Sequence, residues 1–217
     1  LICPVVRSFH NHAVMCDVSL WEPGSEDDAN AVVDQGDEAA KWLSDFLKRP
    51  NLRLVFRDIT CTRVVNQKYR AKNQPSQVSF ADGMQYLITS RTSLAQLNQK
   101  VALNYLPGSN SSEEQEAPIL TMDRFRPNIV ITGGEAFEED DWKSLKIGTC
   151  EFEVSHHCPR CILTTIDPIR PEKGTSKEPL KTLSTFRKSG NEVNFGVYLI
   201  PKKLGIIRLN DVVIPEL

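Results

Sequence analysis

His156-His157-Cys158-Pro159-Arg160-Cys161-Ile162-Leu163-Thr164-Thr165-Ile166-Asp167-Pro168 is the stretch on which the reading of this chain turns. Just upstream, Cys150, Phe152 and Val154 alternate with Glu151 and Glu153, the period of a half-buried strand. Two histidines, two cysteines and an arginine then fall within six residues, and an apolar run begins at Ile162. The chemistry is therefore expected in a turn between two strands. A guanidinium beside a thiol favours the thiolate and makes it a better ligand for a soft metal. Taken by itself, the stretch admits four readings: half a zinc site, a dithiol redox pair, a single cysteine ligand to another metal centre, or a turn with two buried thiols.

The chain has 217 residues, 40% hydrophobic and 25% charged, which is the composition of a soluble globular protein of one sizeable domain or two small ones. A net charge of -2 argues against a general nucleic-acid binder. No apolar run approaches the roughly 20 residues of a membrane-spanning helix. Leu1 opens the chain without methionine or a signal-peptide pattern, so a fragment or processed form is expected. Cys3, Cys16, Cys61 and Cys150 are scattered singly on apolar segments, which suits a reducing compartment rather than a disulfide framework.

Outward from the focal stretch, the elements alternate between sheet and short helix. Met15 to Trp21 reads as a strand. Ala39, Trp42, Leu43, Phe46 and Leu47 give a helix on a sheet, with Asp37 as its cap and Pro50-Asn51 as its stop. Leu52 to Phe56 is a strand, followed by a basic loop to Asn73. Asp82-Gly83-Met84 forms a turn before the strand Tyr86-Leu87-Ile88. Ser90 caps a second helix carrying Leu94, Leu97 and Val101. A polar loop follows from Pro107 to Pro118. Pro127 is expected to hold Arg126 extended, so that Arg126 and Asn128 face the same way, a pairing suited to a phosphate or a heterocycle edge. Pro179 starts a third helix with Leu180, Leu183 and Phe186 inward. Asn194 to Ile200 is a strand, and Ile206–Leu209 with Val212–Ile214 reads as a closing hairpin about Asn210-Asp211. The sum is an α+β fold, barrel-like with helical insertions.

Several motifs in order then resemble a known family. They are Phe125-Arg126-Pro127-Asn128, Glu139-Asp140-Asp141-Trp142, Ile147-Gly148, Cys158-Pro159-Arg160-Cys161, Glu178-Pro179-Leu180-Lys181-Thr182-Leu183, Phe195-Gly196 and Gly205-Ile206-Ile207-Arg208-Leu209. Together they resemble the MOSC domain. They look most like the mitochondrial amidoxime-reducing component and the bacterial relatives that protect cells from hydroxylated purines. Molybdenum cofactor sulfurase is a more distant likeness. The resemblance implies a MOSC-type β-barrel over residues 39–217, with residues 1–38 a remnant of the family's N-terminal region. It implies a molybdenum-molybdopterin cofactor whose metal is held by Cys161. It also implies cofactor contacts from Arg126, Asn128, Pro159, Arg160 and Tyr198, and main-chain contacts from Gly83 and Met84. The implied reaction is reduction of small N-hydroxylated compounds. Electrons would come from a separate donor, either a haem b-type cytochrome with its flavin reductase or a ferredoxin-type protein. The implied location is cytoplasmic or on the mitochondrial outer surface.

Two other readings stand beside this one. A sulfurase-type MOSC domain would hold cofactor for sulfur transfer, in company with a pyridoxal-phosphate lyase domain. A zinc-stabilised binding module would use His156, His157, Cys158 and Cys161, although a ligand set drawn from six consecutive residues is cramped.

Overall fold

The computed structural model describes residues 15–18, 29–58, 63, 78, 83–106, 117–171 and 176–217. The chain divides into two compact units, Leu1–Gln85 and Tyr86–Leu217. The fold is α+β, as the alternation of short helices with strands predicts.

In the first unit, β1 (Met15–Val18), β2 (Ala29–Asp34) and β3 (Val55–Arg57) form an antiparallel sheet in the order β1-β2-β3. Helix α1 (Asp37–Leu47) starts one residue past Gly36, so Asp37 is its first residue rather than its cap. It buries Ala39 and Ala40, whereas Trp42, Phe46 and Leu47 are exposed, with Trp42 and Phe46 stacked on each other. Of the expected apolar face, Ala39 is buried and Leu43 half-buried, while the bulky Trp42 and Phe46 pack on each other in the open. Most of the basic loop before Asn73, and of the polar loop between Pro107 and Pro118, lies outside the described residues.

The second unit is built on a seven-stranded sheet. Its path runs β10 (Val213–Glu216), β6 (Ser144–Ile147), β7 (Cys150–Pro159), β9 (Glu192–Lys203), β4 (Tyr86–Ser90), β5 (Ile129–Ile131), with β8 (Lys188–Ser189) paired to β9. All pairings are antiparallel except β4 with β5. Residues of both edge strands, β5 and β10, border one groove of about 940 Å³, so the sheet curls into a half-barrel. Ile88, Leu145, Ile147, Phe152, Val197 and Leu199 fill its apolar face. Helix α2 (Arg91–Leu103) begins where Ser90 Oγ accepts the N–H groups of Thr92 and Ser93, the expected cap. It buries Leu97 and Val101 against Leu120, Phe125, Leu183 and Phe195. Helix α3 (Leu180–Leu183) is a single turn behind Pro179.

Along this sheet, two stretches depart from expectation. Ile206–Leu209 forms no strand; β10 instead pairs with β6, which is far from it in sequence. The strand β7 also continues through His156, His157 and Cys158 to Pro159, with bulges on either side of His156-His157. Its ladder to β9 carries it past the point where the alternating pattern stops.

Candidate functional site

The focal chemistry sits where β7 ends. Arg160 leaves the strand, donating its N–H to Val193 O at 2.8 Å, and Cys161 precedes a 3-10 turn at Ile162–Thr165. A second strand was expected there, but the threonines turn the chain back. Thr164 N–H and Thr164 Oγ1 both donate to Cys161 O, at 3.1 and 2.9 Å. The Cys161 backbone is thus fixed from its carbonyl side while the residue itself is exposed.

Cys158 has the opposite environment. It is buried, Arg160 Nη1 donates to its sulfur at 2.7 Å, and the Tyr198 hydroxyl also reaches it. Burial pushes the Cys158 thiol up, and outweighs the guanidinium and the tyrosine that pull it down. Arg160 therefore spends its charge on Cys158. Its Nη2 donates to Phe125 O at 2.6 Å, its cation lies 5.4 Å from the Phe125 ring centre, and its buried Nε has no partner.

Arg126 departs from the expectation. It ends a 3-10 turn at Met122–Phe125 with φ 53° and ψ 47°, left-handed rather than extended, so the same-side geometry with Asn128 is absent. The preference of a residue before proline for extended backbone is overridden by closure of the turn, in which Arg126 N–H donates to Asp123 O at 3.2 Å. Arg126 is exposed, and its guanidinium has no partner among the described residues. Asn128 registers β5 on β4: Leu87 N–H donates to its Oδ1 at 2.8 Å, and its own N–H donates to Leu87 O at 3.0 Å. Its side-chain NH2 remains without a partner among the described residues. Tyr198 faces His156 across the β7–β9 ladder. Gly83 and Met84 are buried and belong to the first unit.

Arg124 is the residue the sequence reading missed. It is buried, pairs with Asp167 at 3.1 Å, and donates to Thr165 O at 3.2 Å and Thr164 O at 3.5 Å. The pair ties the turn after Cys161 to the turn before Arg126. Arg124, beside Phe125, gave no signal, because its partner is distant in sequence. The N–H groups of Ile169 and Arg170, with the Arg124 and Arg170 guanidinia, hold the Asp167 carboxyl below its ordinary value against the opposing effect of burial. Its stabilisation is thus complete above the unfolded value of about 3.9 and is lost as pH falls through the native value. Thermal midpoints should drop on acidification below about pH 4, and Asp167→Asn should flatten that limb. Arg124→Met should lower the midpoint at neutral pH, whereas exposed Arg126→Ala should leave it unchanged.

Among the described residues no three His, Cys, Asp or Glu side chains are placed to hold one metal ion, which removes the four-residue zinc reading. Cys158 is turned into the protein and Cys161 out of it. Likewise among the described residues, no helix is long and apolar enough to cross a membrane.

A curled, mostly antiparallel sheet that presents an exposed cysteine from the end of a central strand defines a class of α+β half-barrel proteins. Residues 75–214 match the MOSC domain, and the chain belongs to that family. It is 38% identical over 189 residues to mitochondrial amidoxime reducing component 2 of Bos taurus, covering 82% of this chain and 51% of that protein. It is 34% identical over 222 residues to mitochondrial amidoxime-reducing component 1 of Mus musculus, covering 97% of this chain and 58% of that protein. The molybdenum cofactor sulfurase of Danio rerio is 34% identical over 168 residues, 77% of this chain and 19% of that protein. The chain thus spans between 51% and 58% of the length of these two amidoxime-reducing relatives.

Proposed function

We propose that this chain is the cofactor-holding domain of a molybdenum-dependent reductase acting on N-hydroxylated compounds such as amidoximes. The observation that carries the proposal is the contrast between its two neighbouring thiols, in a MOSC chain similar to proteins named amidoxime-reducing components. Cys161 is exposed on a fixed backbone, as a single metal-ligating thiolate requires. Cys158 is buried and engaged by Arg160 and Tyr198.

The residues fit a molybdopterin-held molybdenum. The donor set offers an exposed thiol at Cys161, a guanidinium at Arg126 that is unpartnered among the described residues and suits a phosphate group, and an amide NH2 at Asn128. Arg160 adds a buried Nε with no partner, the kind of donor a bound group satisfies. When bound, the cofactor supplies the two-electron reduction of an N–O bond. The chain's own part is to bind and orient. Cys161 would hold the metal, and Arg126 and Asn128 would hold the cofactor's polar groups. Arg160, Pro159 and Tyr198 shape the base of the turn. The similarity to a molybdenum cofactor sulfurase supports a cofactor-holding role.

Electrons arrive from a separate carrier, a haem b-type cytochrome with its flavin reductase or a ferredoxin-type protein. The mitochondrial names of the relatives support a mitochondrial location for the parent protein.

Arg126→Ala is expected to lower the molybdenum and pterin content of purified protein several-fold without changing its thermal midpoint. Full cofactor content with only a raised KM would move Arg126 to the substrate side.

A further inference from the structure

We propose that the cleft beside β7 is a binding site for a divalent ion of the zinc class, built on His157, Asp140 and Asn194. This cleft, of about 330 Å³, is separate from the Cys161 thiol and is bordered also by His156 and Glu192. Two acceptors in it are left over. Asn194 is only 4% exposed, and its Oδ1 is buried with no hydrogen-bond partner. Asp140 Oδ1 is buried and equally without a hydrogen bond, while Asp140 Oδ2 is paired with Arg187. A buried acceptor left alone costs stability, so each calls for a water or an ion.

The gap between Asp140 and His157 suits a zinc-class ion better than an ammonium. His157 Nε2 lies 3.7 Å from Asp140 Oδ1, beyond hydrogen-bond range. Two ligand atoms each about 2.1 Å from a zinc-class ion and this far apart subtend about 125° at the metal, and closing the gap by about 0.3 Å gives the tetrahedral angle. An ammonium nitrogen about 2.8 Å from each atom would subtend only about 83°, too narrow for its tetrahedral donors. Imidazole with carboxylate selects zinc-class ions over magnesium or calcium. Because no three His, Cys, Asp or Glu side chains meet here among the described residues, the Asn194 side-chain Oδ1 and water complete the coordination. Arg187 fixes the Asp140 carboxylate from behind, and its charge keeps the affinity modest. The His157 side chain is 46% exposed, which gives the ion its entry. The ion would clip the 3-10 turn Glu138–Asp141 to β7, four residues before Cys161.

The test is titration of the purified protein with Co2+ followed by visible absorption, then displacement by Zn2+. One equivalent should bind with ligand-field bands of a nitrogen and oxygen site and no thiolate charge-transfer band. His157→Ala and Asp140→Asn should each weaken binding at least about tenfold. Cys161→Ser should bind as wild type, which separates this site from the molybdenum ligand whatever that variant's molybdenum content. Unchanged binding in His157→Ala, a thiolate band, loss of binding in Cys161→Ser, or no binding at all, which would leave the gap to ordered water only, overturns the proposal.

Discussion

On the proposed function, Cys161→Ala in the cofactor-loaded full-length parent should fold with an unchanged thermal midpoint, yet lose reduction of benzamidoxime by reduced viologen by more than about a hundredfold. The expectation follows from where the side chain is. Cys161 is exposed, so truncating it removes no core packing. Its backbone is held by Thr164 and, through Thr165 and Asp167, by Arg124, so the turn keeps its shape without the sulfur. Losing a direct metal ligand must cost more than losing a residue that merely orients one, which typically costs ten- to a hundredfold. Turnover equal to wild type in fully loaded Cys161→Ala would remove the thiolate from the mechanism.

The second large effect belongs to Gly196, in the strand whose far side carries the Phe195 ring stacked on Phe125. Gly196 has φ 76°, and a Cβ there would lie 2.6 Å from Ile88 O and 2.7 Å from Thr89 Cγ2. The left-handed backbone costs an alanine about 1–2 kcal/mol, and the collision with β4 adds roughly 1–3 kcal/mol. The obstacle is a backbone oxygen in the β4–β9 ladder, so no side-chain rotation relieves it. Gly196→Ala should therefore lose about 2–5 kcal/mol, a large share of a domain's stability. Gly190→Ala is the control. Its φ is 57°, but nothing lies within 4 Å of the added Cβ, so only the backbone cost of about 1–2 kcal/mol applies. Urea unfolding of the two variants checks this; equal losses would mean that the approach of β9 to β4 is not tight.

What could be read in advance is what local chemistry fixes. Ser90 caps α2 through its own side chain, and Leu97 and Val101 follow at helical spacing, so cap and buried face were both visible. Cys150 and Phe152 point inward as their alternation predicts. The failures are non-local. Ile206–Leu209 resembled half of a hairpin, but the partner of β10 is β6, and no turn signal marks so distant a pairing. Trp42 and Phe46 looked like core because the period of a helix does not say which side will be covered. Arg126 took a left-handed conformation that depends on closure of the preceding 3-10 turn. In the candidate site, Cys161 and Arg160 were legible from one dense motif. The division of labour between them was not, since it needs Phe125 O and the Cys158 sulfur to engage the guanidinium. Arg124 and Asp167 are joined only by folding, and neither sits in a pattern with the other.

The most direct test of a single-thiolate molybdenum site is the molybdenum-to-protein ratio of Cys161→Ser and Cys158→Ser, purified alongside wild type under the same cofactor supply. Near-complete loss of molybdenum in Cys161→Ser, with substantial retention in Cys158→Ser, is expected from one exposed ligand beside one buried, engaged thiol. Equal loss in both variants, or full retention in Cys161→Ser, contradicts it.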